Sequence, residues 1–77
     1  MKRIKVNALI QPEVDKIRRL GNLTVAQDRI LVLLNQDYVN DEGIMMSLYM
    51  SPRKYYETKR ILYDKIEKVL SLPDEIN

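Results

Sequence analysis

The segment that most constrains this chain runs from Ser51-Pro52 to Pro73. A serine can cap a helix by accepting a backbone N–H. A proline fits the first helical position, where its missing N–H costs nothing. Behind them Tyr55, Thr58, Leu62, Ile66 and Val69 recur at three- and four-residue steps, one face of an amphipathic helix. Pro73 closes the run. A helix over 52–71 takes up about a quarter of the 77 residues, so the rest of the fold has to cover its apolar stripe.

Three shorter helices are expected to do so. Pro12 opens one over 12–20, with Glu13 and Asp15 in its first turn and Arg18 and Arg19 in its last, as the helix dipole prefers. Val14, Ile17 and Leu20 form its stripe, and Gly21 is a natural stop. Thr24 and Gln27 have capping-box spacing ahead of the run Ile30, Leu31, Val32, Leu33, Leu34, so 25–36 is expected to be a helix buried on most faces. Residues 35–41 read as a loop. Asn40 or Asp41 can cap a short third helix over 41–48, with Ile44, Met45 and Leu48 inward.

The expected fold class is all-α: a small four-helix domain with a helix-turn-helix and a long C-terminal helix. Residues 11–72 form the domain, 1–10 an N-terminal arm and 73–77 a tail. The first ten residues, MKRIKVNALI, fit a strand, an extended arm or a frayed helix start equally well.

Composition narrows the chemistry. The chain has no cysteine and no histidine, so disulfides, thiolate metal sites and the usual general base are absent. Ser47, Ser51 and Ser71 have no imidazole to activate them, and Gly21 and Gly43 build no phosphate loop. Asp37, Asp41 and Glu42 lack calcium-loop spacing. A non-enzymatic protein without cofactor or metal is expected. Nothing approaches the roughly 18 apolar residues of a membrane span, and the basic start is too short and polar for a leader, so a cytoplasmic protein is expected.

Net charge is only +2, but its distribution is uneven. Residues 1–20 hold six basic and two acidic side chains, 21–50 one and four, 51–77 six and five. At the start of the long helix Arg53, Lys54, Lys59 and Arg60 surround the single acid Glu57. Residues 41–48, the turn Tyr49-Met50 and the capped helix behind it have helix-turn-helix spacing. In that motif the second helix enters the major groove and its first residues reach base edges. Arg53, Lys54 and Glu57 are expected near base edges, and Ser51 and Tyr56 are further expected DNA-binding residues. Lys59, Arg60 and the arm residues Lys2, Arg3 and Lys5 are expected near phosphates. Tyr55 should face the core and Tyr56 the outside. Tyr55 and Tyr63 are expected to bury their rings with the hydroxyls at the surface.

The stretch DYVNDEGIMMSLYMSPRKYYETKRILYDKIEKVL, within about residues 24–71, resembles the C-terminal part of phage late-transcription regulators of the autolysin-regulator (ArpU-like) type, which resemble region 4 of sigma factors. Leu48, Met50, Ser51, Arg53, Lys54, Tyr55, Tyr56 and Lys59 carry the likeness. It implies sequence-specific DNA binding and control of transcription in a phage or mobile element. Two positions depart from the pattern. Tyr49 stands where that family usually has glycine, and would be strained in a left-handed conformation. Lys59 stands where a small or apolar residue is common.

A rival function comes from the same region. Met45, Met46, Tyr49 and Met50 could form an adaptable surface that docks on a transcription protein instead of DNA. Core filling is the plainer role for the methionines. A homodimer or a partner on DNA is expected in the first case, because one small module buries little surface.

Overall fold

The computed structural model describes residues 5–36 and 40–73. It contains four α-helices: α1 (Gln11–Leu20), α2 (Val25–Asn35), α3 (Asp41–Leu48) and α4 (Pro52–Leu70), preceded by a 3-10 turn at Val6–Ala8. The all-α four-helix architecture is thus the one expected. Lys2 and Arg3 lie outside the described residues. Among the described residues, no helix is long and apolar enough to cross a membrane.

Each helix starts where a side chain can take up an orphan backbone N–H. The Glu13 carboxylate accepts from the Ile10 N–H at 3.0 Å ahead of α1. Thr24 Oγ1 accepts from the Gln27 N–H at 3.2 Å, and Gln27 Oε1 accepts in return from the Thr24 N–H at 3.0 Å, completing the expected capping box. Asn40 is the cap of α3, accepting from the Gly43 N–H at 2.8 Å. Ser51 Oγ accepts from the Lys54 N–H at 3.3 Å. A lost cap of this kind costs a helix about 0.5–2 kcal/mol.

The stripe of α4 is buried in full: Tyr55, Thr58, Leu62, Ile66 and Val69 all face inward. Thr58 satisfies its hydroxyl on Lys54 O at 2.8 Å, so the one polar member of the stripe leaves no orphan donor. Val14 and Ile17 of α1, Ile30 and Leu31 of α2, and Ile44 of α3 complete the core. Leu20, expected in the stripe of α1, is 40% exposed because the helix ends there. The apolar run of α2 is buried at Ile30 and Leu31, while Val32, Leu33 and Leu34 are half-buried, so α2 is covered on fewer faces than expected. The run turns all the way round the helix, and α3, α4 and the 3-10 turn leave Val32, Leu33 and Leu34 partly in solvent.

The N-terminal segment does more than an arm would. Val6 is buried, and Asn35 at the end of α2 donates from Nδ2 to Val6 O at 2.9 Å and to Leu9 O at 3.2 Å. One side-chain amide thereby holds the 3-10 turn against α2.

Polar struts fix the helices relative to one another. Arg18 at the end of α1 grips Asp28 in the first turn of α2 with both guanidinium arms, at 2.7 and 3.2 Å. Lys65 of α4 donates to Asn22 O at 2.8 Å and to Gln27 Oε1 at 2.7 Å, so α4 supports the loop and the capping box that start α2. The stop of α1 differs in detail from the expected left-handed glycine. Gly21 is right-handed, and Asn22, at φ 53°, takes the left-handed position one residue later. Glycine is still required at 21, since a Cβ there would lie 2.5 Å from Ile17 O.

Candidate nucleic-acid interface

The junction between α3 and α4 sets the site. The Met50 N–H donates to Met45 O at 2.9 Å, and the Tyr49 N–H to Met46 O at 3.3 Å. This is a Schellman motif with Tyr49 at its left-handed position, φ 54° and ψ 43°. The turn therefore has the geometry a glycine would give it. A tyrosine in that conformation costs about 1–2 kcal/mol. Met50 leads straight into the Ser51 cap, Pro52 takes the first turn of α4, and the helix leaves with its first residues pointing outward.

Arg53, Lys54, Tyr56, Glu57 and Arg60 are exposed along this start. Arg53 and Lys54 pair with no carboxylate among the described residues. Arg60 lies 4.0 Å from Asp64 one turn on, a loose and exposed contact. Tyr56 stands at the surface with its ring edge-on to Tyr55, centroids 5.1 Å apart. As expected, Tyr55 faces in and Tyr56 out.

Lys59 does not join this outward group. Its ammonium sits 2.9 Å from Asp41 Oδ1 and 5.8 and 5.7 Å from the ring centroids of Tyr55 and Tyr63. Tyr55 brings its hydroxyl to the same carboxylate oxygen, at 2.5 Å. So the Tyr55 hydroxyl ends on Asp41 rather than at the surface, and Lys59 ties α4 to the start of α3. Three residues that looked separate in the sequence form one latch behind the turn. It ties the start of α3 to the first turns of α4.

The latch has an electrical signature. Burial works to raise the pKa of Asp41, but the hydroxyl of Tyr55 and the bond to and charge of Lys59 outweigh it, and the carboxyl lies below its usual range. Burial, then the bond to Asp41, pushes the Tyr55 phenol well above its ordinary value. A carboxyl with a depressed folded-state pKa stabilises the fold above its unfolded value, near 3.9, and that contribution is lost as pH falls through the folded value. Asp41→Asn should therefore be less stable than the parent at pH 7, and the difference should shrink as the pH is taken down below the ordinary carboxyl range. Urea midpoints at pH 7 and below that range check this; equal midpoints at pH 7 would exclude a stabilising latch.

The methionine and tyrosine group splits. Met45 and Met50 are half-buried against the core, whereas Met46 and Tyr49 are exposed. A residue that sequence reasoning passed over joins the picture. Arg29, the only base between residues 21 and 50, is exposed on α2 and lines a depression shared with Lys54 and the turn. No sequence signal marks it, because the proximity arises only when α2 packs beside the turn.

Comparison with known protein families, curated proteins and solved structures returns no match to this chain.

Proposed function

We propose that the protein is a DNA-binding transcription regulator that places the start of α4 in the major groove. The observation that supports this best is the outward display of Arg53 and Lys54, neither paired with a carboxylate among the described residues, directly behind a Schellman turn and a Ser-Pro start. A guanidinium there can pair bidentately with guanine, and Glu57 one turn on can accept from cytosine. Lys54, Tyr56 and Arg60 flank them and suit phosphates. Two copies, or a partner on adjacent DNA, would supply the area that one module lacks. The likeness to late-transcription regulators makes a phage or mobile-element promoter the natural target, in the cytoplasm of the host.

Arg53→Ala should weaken binding to a selected site by about 1–3 kcal/mol and relax specificity at one base pair. The site comes from selection on genomic fragments, with the dissociation constant measured at two salt concentrations. A steep fall with salt is expected, since each neutralised phosphate adds about 0.9 to the logarithmic slope. No binding at low salt by folded protein, or an unchanged constant for the variant, would overturn the assignment.

A second reading, docking on a transcription protein, is favoured by Tyr49 and Met46, which are 97% and 77% exposed. Apolar side chains so fully in solvent are suited to burial in a complex.

A further inference from the structure

Tyr49 bears a backbone strain that the turn itself does not require. Glycine would close the same Schellman motif without it, and the tyrosine ring recovers nothing by burial. Strain retained at an exposed side chain points to what that side chain meets outside the fold. Beside it lies an open depression of about 660 Å³ between the start of α2 and the start of α4. Its floor is apolar, with Val25 72% exposed and Met50 half-buried. Arg29 and Lys54 stand along it as cations, neither paired with a carboxylate among the described residues.

We infer that this depression docks an acidic amphipathic helix of a partner protein, with Tyr49 as the anchor and Arg29 and Lys54 meeting the partner's carboxylates. The inference rests on the second reading above, docking on a protein, and supplies that reading with a surface and a partner chemistry. Charge and apolar area together decide the occupant. A DNA backbone would satisfy the two cations but leave Val25, Tyr49 and Met50 against water. A neutral apolar helix would cover the floor but desolvate the cations without return. An amphipathic helix with leucines at i, i+3, i+4 and i+7 and glutamates beside them meets both demands.

The test uses the full chain and a synthetic peptide of that pattern, about 18 residues long so that it can be helical in water. Sister peptides carry glutamine or lysine in place of each glutamate. Binding is read by fluorescence anisotropy and by amide shifts. The glutamate peptide should bind, perturb Val25, Arg29, Tyr49 and Lys54, and outcompete both sisters. Tyr49→Gly should weaken it about 10-fold or more while raising the melting temperature, a pairing that a purely structural residue would not produce. Binding of the glutamine peptide alone at these residues would leave protein docking standing and overturn the acidic partner. Failure of all three peptides to bind the folded protein would overturn the inference. Duplex DNA that perturbs the same residues and displaces the peptide would assign the depression to the DNA interface, and a dimer dissolved by Tyr49→Gly would assign it to a second copy. Either of these also overturns it.

Discussion

Tyr55→Ala should leave much of the protein unfolded at room temperature. Tyr55 is the largest of the fully buried side chains, and it sits where α4 passes α3. Truncating a buried aromatic to alanine costs about 3–5 kcal/mol through lost burial and the cavity left behind. A core of this size supplies little more than about 3–5 kcal/mol in all. The substitution also removes the hydroxyl that donates to Asp41, leaving the carboxylate with Lys59 alone. Tyr55→Phe separates the two effects: it keeps the ring and loses only the hydrogen bond, for an expected loss of about 1–2 kcal/mol. Urea unfolding followed by far-UV circular dichroism gives both values. A Tyr55→Ala midpoint close to the parent's would show that the ring is not the anchor of the α3–α4 junction, and equal losses in the two variants would assign the whole effect to the hydroxyl.

The helices were legible because their signals are local. Ser51-Pro52, Thr24 with Gln27, and Asn40 lie within three residues of the N–H groups they serve, and each one caps as the spacing implies. The α4 stripe was equally readable, since a helix that must cover one face repeats its apolar residues at a fixed step. Val6 was not. It stands in a short segment compatible with several conformations, and it is buried where that segment packs on α2, with Asn35, 29 residues away, bonded to its carbonyl.

The candidate site was legible at Arg53, Lys54, Tyr56 and Glu57, whose exposure follows from helical periodicity once Tyr55 and Thr58 face inward. Lys59 stands apart from that exposed group for the opposite reason. It borders the buried face, and its side chain is long enough to reach Asp41, 18 residues earlier. Pairings at that separation depend on the angle between two helices, which no local pattern specifies. Tyr49 shows how a local rule can be half right. Strain at that position was predictable, but the fold accepts it, because the two Schellman hydrogen bonds and the Ser51 cap determine the turn whatever residue occupies it.

Ile17→Ala should lower stability by about 2–5 kcal/mol, the range for truncating a buried isoleucine. Ile17 is fully buried on α1, the helix that lies along α4. Its place matters as much as its area. Val14 is the other buried member of α1, and at its edges the helix is tied by Arg18 on Asp28 and by Lys16, which donates to Leu72 O at 3.0 Å past the end of α4. Such exposed polar contacts contribute little on their own, so the seam between α1 and α4 depends on its apolar members. If the chain unfolds as one cooperative unit, the loss appears as a single transition shifted down by about 4–8 °C per kcal/mol. The start of α4 should lose hydrogen-exchange protection together with α1, although Ile17 lies far from it in sequence. Early exchange confined to α1, with α2 to α4 protected as in the parent, would instead make α1 a detachable cover and the three remaining helices the folding unit. In that case the proposed DNA binding would survive the substitution, whereas a single cooperative unit would lose stability and any such binding together on heating.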